Sequence, residues 1–161
     1  MRNHTRRADT QATDLAERLG RSYASLLREL TWIGSEGDDP FHPFSAPFAP
    51  GTSIAPETFR AAAAIGRSWR IEIAPAAPWF ARMIQYFHDH RYGSEDDHAI
   101  EMVYSHVQAA MKATLEGPLR LASVHYAPKH GADSFHKARY YVFGKVAEGG
   151  LAGLLAHSVE T

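Results

Sequence analysis

Apolar residues recur at the spacing of an α-helix in two long stretches of the chain. Over residues 13–32 leucine and tyrosine fall three or four positions apart, and over residues 94–116 a second apolar stripe ends at Gly117-Pro118. Glycine and proline are typical of helix ends because neither continues a helix well. Shorter apolar patterns predict two further helices, over residues 56–65 and 78–87.

Alternating and continuous apolar runs predict a sheet. Strands are predicted over residues 69–73, 119–126, 138–147 and 151–159. The last two form a hairpin around Gly149-Gly150. The proline-rich stretch 40–56 is at best an edge strand, and otherwise an ordered loop, because proline cannot donate to a sheet ladder. Helices that flank a largely antiparallel sheet predict an α/β fold, as a three-layer α/β/α sandwich.

Composition is that of an ordinary globular protein. The chain has 161 residues, of which 45% are hydrophobic and 22% charged, so it is long enough to bury a core. Because chain termini usually fray, we predict a disordered tail over residues 1–12 and a single domain over residues 13–161. No apolar run is long enough to span a membrane and no secretory signal is present, which predicts a cytoplasmic protein.

Charge and residue types argue against direct nucleic-acid binding and against cysteine chemistry. Lys and Arg number 17 against 18 Asp and Glu, whereas a nucleic-acid-binding domain usually carries a basic excess. The chain has no cysteine, which excludes disulfides, thiolate nucleophiles and Cys-rich zinc sites.

Catalytic motifs are missing, which predicts that the protein is not an enzyme and uses no cofactor. The sequence contains no Gly-x-Ser-x-Gly elbow, no Gly-x-Gly-x-x-Gly pattern and no P-loop. The alternative is a metal-dependent hydrolase that uses His88, His90 and His98, because imidazole binds zinc or iron well. Those histidines complete no recognised hydrolase spacing, and exposed histidines without a metal are the other interpretation.

Two segments rich in oxygen ligands favour recognition of another protein. The turn Ser35-Glu36-Gly37-Asp38-Asp39 carries three acids without a local cation. Such a turn is either a solvated loop or a set of carboxylates presented to a basic surface. The end of the chain is strand-like to its last residue, so Glu160 and Thr161 would hold oxygen atoms at a fixed point. Hard oxygen ligands of this kind suit a magnesium ion held partly by another protein.

The same two segments resemble the nuclease A inhibitor family, whose members block sugar-nonspecific, metal-dependent nucleases. The likeness rests on Ser35-Glu36-x-x-x-Pro40-Phe41 after an amphipathic helix, on Tyr141-Val142-x-Gly144, on Gly150-Leu151-Ala152-Gly153 and on the ending Val159-Glu160-Thr161. In order of elements it covers about residues 14–161. The chain departs from the family pattern in its proline-rich stretch, in an apparent insertion over residues 127–137 and near His90.

The resemblance implies an α/β/α sandwich and a stoichiometric protein inhibitor. Thr161 would reach the catalytic Mg²⁺ of the nuclease, and Glu36 would engage its basic active-site residues. Glu160, Asp38 and Asp39 are the further residues expected to contact the nuclease. The protein would be a monomer when free and would bind one nuclease, but neither nucleic acid nor a membrane. A binding module for a partner other than a nuclease is the remaining alternative.

Overall fold

The computed structural model describes residues 2–33, 38–89, 96–126 and 136–160. In these ranges the chain forms four helices, α1 Arg2–Leu26, α2 Pro56–Ala62, α3 Ala77–His88 and α4 Asp97–Thr114. It also forms seven strands, β1 Thr31–Ile33, β2 Asp38–Pro40, β3 His42–Ala46, β4 Trp69–Pro75, β5 Glu116–Tyr126, β6 His136–Lys145 and β7 Leu151–Glu160. None of the helices in the described ranges is long and apolar enough to cross a membrane.

Five of the strands form one antiparallel sheet in the order β3-β7-β6-β5-β4, and β1 pairs with β2 in a separate small sheet. The predicted α/β fold with an antiparallel sheet is confirmed. The proline-rich stretch supplies β3, which lies at the edge of the sheet and pairs only with β7. Its edge position is the one expected for a strand that contains Pro43, because an edge strand bonds on one side only.

The sheet buries a different apolar cluster on each face, because successive residues of a strand point to opposite sides. On the first face, Val142 and Leu154 pack with residues of α1, α3 and α4. On the second face, Phe143 and Leu151 pack around Phe59 of α2. Residues of helices therefore pack on both faces of the sheet, although α2 has only seven residues.

Two contacts of α1 fix its position on the first face. A Cβ added to Gly20 would lie 2.6 Å from the carbonyl oxygen of Phe44, so glycine allows the helix to approach the β3 backbone closely. Thr114 Oγ1 donates to the carbonyl of Ala110 at 2.7 Å and accepts from Tyr23 Oη at 2.5 Å. Burial raises the pKa of Tyr23, so its phenol stays protonated and continues to donate this bond.

Helix α1 differs from the prediction at both ends. The structure begins α1 at Arg2, so residues 2–12, for which the sequence predicts a disordered tail, are helical. Extending a helix that is already packed costs little, and the segment contains no proline or glycine to interrupt it. At the other end α1 stops at Leu26, and Thr31–Ile33 forms β1 instead of a last helical turn.

Tertiary packing explains the strand at residues 31–33. Trp32 is buried between the rings of Trp79, 5.3 Å away, and Tyr140, 4.4 Å away, and both pairs are stacked. A strand places the indole between these two rings, and stacked aromatic pairs add to the stabilisation that comes from area burial alone. The apolar spacing of a helix happens to extend to Trp32, although this residue belongs to a strand.

Candidate protein-binding site

The small β1–β2 hairpin lies beside the C-terminal half of β7. Strand β3 begins at His42, which pairs with Leu155 of β7. The preceding strand, β2, pairs with β1 instead. Contacts between the hairpin and β7 continue nonetheless, and Asp39 Oδ2 accepts a hydrogen bond of 2.7 Å from the backbone N–H of His157. This bond joins residues that are 118 positions apart in the sequence.

The hairpin and β7 therefore point toward the same end of the sheet. Strand β2 leads back from Asp39 to Asp38, while β7 leads forward from His157 to Glu160. We call this end of the molecule the C-terminal rim and define it by Ile33, Asp38, Asp39 and residues 157–160. Both segments that carry the motifs of the acidic turn and of the chain end are attached to it.

Three exposed apolar side chains belong to strands at the same end of the molecule. Within the described ranges five large apolar side chains are exposed, namely Leu26, Ile33, Met102, Tyr126 and Val159. Ile33 and Val159 belong to the rim, and Tyr126 ends β5 at the same end of the sheet. Apolar groups grouped on an exposed surface and bordered by charges are typical of protein interfaces.

The Asp39 carboxylate lies close to the His42 imidazole and to the backbone of His157. His42 Nε2 lies 3.4 Å from Asp39 Oδ2, and the rings of His42 and His157 are 5.7 Å apart. Partial burial lowers the pKa of His157, the charge of Asp39 opposes that change, and Arg139 and His42 add to it. His157 is therefore neutral at pH 7.

The structure accounts for the predicted site residues unequally. Glu36 and Thr161 lie outside the described residues. Asp38 begins β2 and Glu160 ends β7, so both belong to the rim. Asp39 was predicted to contact a partner, but its carboxylate is bonded within the chain, and only 29% of its side chain is exposed.

The histidines proposed as an alternative metal site form an exposed group with one acid. His88 at the end of α3 and His98 in α4 lie 3.2 and 3.3 Å from the two oxygens of Glu101, and His90 lies outside the described residues. Both imidazoles are more than half exposed. Among the residues that the structure describes, no three His, Cys, Asp or Glu side chains are arranged to hold a metal ion.

No model of a known protein family matches the chain, and a search of curated proteins finds no match.

Proposed function

We propose that this protein is a stoichiometric inhibitor of a sugar-nonspecific, Mg²⁺-dependent nuclease and that it binds through the C-terminal rim. The supporting observation is that the β1–β2 hairpin, whose second strand ends at Pro40, and strand β7 meet at one end of the molecule. Their motifs resemble those of nuclease A inhibitors, and an inhibitor that uses both needs them on one surface. The protein would act by binding, without catalysis of its own.

The chemistry of such a nuclease explains why a rim of this kind would block it. An enzyme that cleaves any sequence must hold the phosphate backbone, because bases carry the sequence information that it ignores. It does so with cations and a metal ion. In the proposed complex Thr161 supplies an oxygen to the nuclease-bound Mg²⁺, and Glu36 pairs with a basic residue, so nucleic acid is displaced from both places.

Apolar contacts would add affinity around these polar groups. Ile33 is 37% exposed and Val159 is 40% exposed, and each lies next to an acidic residue in the sequence or in the β1–β2 register. Interfaces commonly combine buried apolar anchors with a charged border that steers association. The rim offers both kinds of group to a basic active site.

The direct test is a titration of a sugar-nonspecific nuclease, in the presence of Mg²⁺, with DNA cleavage as the readout. We expect activity to fall linearly and to vanish at an equimolar ratio. Cleavage that persists at large excess would reject nuclease inhibition and would leave binding of a partner other than a nuclease as the function.

Deletion of Glu160 and Thr161 tests the proposed contact. Two terminal residues bury little apolar core, so the melting temperature should be unchanged. Affinity should fall at least about 30-fold, the loss expected for hot-spot contacts of about 2 kcal/mol. Glu148→Ala is the matched control, since it removes an exposed acid from the turn at the other end of β7. Equal inhibition by the deleted and full-length chains would show that Thr161 does not reach the metal.

A further inference from the structure

One edge of β7 loses its strand partner before the strand ends. From Leu151 to Glu160, β7 pairs with β6 along its whole length. On its other side it pairs with β3 only as far as Leu155, opposite His42. Beyond Leu155 no described strand continues the ladder on that side. Backbone N–H groups on such an edge need an acceptor, because an unpaired polar group is costly wherever water is excluded.

The chain changes partner at this point. Continuing the β3–β7 register would bring Pro40 opposite His157, but Pro40 pairs with Thr31 in the small sheet. The described residues of β2 therefore do not continue the ladder, although β2 stays in contact with β7. Asp39 Oδ2 lies 2.7 Å from the N–H of His157 and takes the place of the missing strand acceptor. A bond to an ionised acceptor is stronger than the neutral backbone bond it replaces.

His42 lies close to the same carboxylate oxygen of Asp39. It begins β3, and its Nε2 lies 3.4 Å from Asp39 Oδ2. Oδ2 of Asp39, a residue of β2, therefore contacts both the first residue of β3 and the backbone of β7. A change in the position of Asp39 would alter the angle between the hairpin and the terminal strand.

We propose that Asp39 is a positioning residue of the C-terminal rim, which acts through the backbone of β7 and does not itself contact the partner. It fixes the hairpin that leads to Glu36 relative to the strand that leads to Thr161. The effect of Asp39 on inhibition rests on the proposed function, whereas its effect on the His157 amide does not.

Replacement by asparagine separates positioning from direct contact. The amide oxygen of asparagine still accepts the His157 N–H, but the side chain has no charge to pair with a basic nuclease residue. A positioning role therefore predicts that Asp39→Asn resembles the wild type and Asp39→Ala does not. A charge contact buried in the interface predicts that both variants dissociate equally fast from the nuclease.

Two measurements on the full-length protein test the proposal. The first is hydrogen exchange of the His157 amide by NMR, and the second is the dissociation rate of the complex with the nuclease. We expect Asp39→Ala to speed up amide exchange and dissociation of the complex by about tenfold each, because a bond to a charged acceptor is lost. Asp39→Asn should change each rate by less than about threefold. Asp38→Ala, one residue away, should leave the His157 amide unchanged and serves as the control.

The outcomes distinguish the two proposals. Unchanged exchange at His157 in Asp39→Ala, or equal loss of inhibition in the alanine and asparagine variants, would overturn positioning by Asp39. If Asp39→Ala does not fold, the affinity of Asp39→Asn alone distinguishes the two roles. A direct charge contact requires the asparagine variant to lose about tenfold in affinity, whereas positioning does not. A wild-type protein that does not inhibit the nuclease would reject the proposed function, while the exchange data would still decide the role of Asp39.

Discussion

At the turn between β6 and β7 backbone hydrogen bonds hold the chain together, whereas at the C-terminal rim a side-chain carboxylate joins β2 to β7. In the turn, Val146 N–H donates to Gly150, Gly149 N–H donates to Val146, and Gly150 N–H donates to Phe48, all at 2.8–2.9 Å. At the rim, the Asp39 carboxylate accepts from the backbone N–H of His157, beyond the part of β7 that pairs with β3. Gly149 and Gly150 are buried, whereas Ile33 and Val159 are exposed.

The β6–β7 turn is thus the end of the sheet that serves stability, and the C-terminal rim is the end that we propose for binding. Backbone bonds between buried groups depend little on side-chain chemistry, so substitutions at the turn should affect folding and leave the partner contact intact. The rim depends on particular side chains and leaves apolar groups in water. Substitutions there should affect binding more than stability, except where the hairpin is anchored in the core.

The largest expected effect on stability is at that anchor. Trp32→Ala removes the indole stacked between Trp79 and Tyr140, which should lower the free energy of unfolding by about 3–5 kcal/mol and weaken inhibition, because the hairpin loses its attachment. Denaturant unfolding measures the first effect and nuclease titration the second. Trp69→Ala, on the half-buried edge strand β4, is the control and should cost clearly less. An equal loss in both variants would contradict the anchoring role of Trp32.

Gly150→Ala should affect stability alone. Gly150 has φ of 97°, and an added Cβ would lie 3.1 Å from Cβ of Ala16, so the variant combines backbone strain with crowding by α1. We expect a loss of about 1–3 kcal/mol in unfolding experiments, with the equivalence point of the nuclease titration unchanged. Gly51→Ala, with φ of 79° but open space around the added Cβ, should lose less. A shifted equivalence point would mean that the turn end takes part in binding.

The exposed apolar side chains of the rim should show the opposite behaviour. Ile33→Ser and Val159→Ser should each weaken binding by about tenfold, since burial of an aliphatic side chain in an interface contributes about 1.5–3 kcal/mol when complete. Melting temperatures should change little. Met102→Ser, on α4 and 60% exposed, is the matched control and should bind as the wild type does. Normal affinity in both rim variants would place the interface elsewhere.

The smallest expected effect is the pH dependence that His157 contributes to stability. Because its pKa is below the ordinary value of 6.5 in the folded state, the unfolded chain binds more protons as pH falls below 6.5. The stabilisation is therefore complete above pH 6.5 and is lost as pH falls toward the folded pKa. The stability difference between wild type and His157→Gln, followed from pH 7.5 to 5, isolates this contribution from the other histidines. A difference that grows on acidification in favour of the wild type would contradict the sign.

Local patterns predicted most of the fold. Apolar spacing located the helices, and the proline-rich stretch was limited to an edge strand or a loop because the reason is local, namely a missing N–H donor. The pattern failed at Trp32, whose strand conformation is set by Trp79 and Tyr140 far along the chain. Helix α4 ends at Thr114, before Gly117-Pro118 as predicted, but this pair already belongs to β5, where the pairing register shifts between Glu116 and Arg120.

The candidate site was predictable only as far as sequence motifs extend. The acidic turn and the chain end are contiguous segments, so each could be recognised separately. In the structure β2 and the end of β7 meet through Asp39 and His157, 118 residues apart, and no local pattern indicates this pairing. For the same reason the internal hydrogen bond of Asp39, which the sequence predicts as a partner contact, could not be foreseen from its neighbours along the chain.

Hydrogen exchange of the protein, free and bound to an equimolar amount of nuclease, tests the central claim most directly. We predict that protection on binding is concentrated in residues 31–40 and 155–161, with the turn over residues 146–150 and the α4 surface around Met102 unchanged. Protection of the turn or of α4 with none at the rim, or no complex at all, would contradict the account.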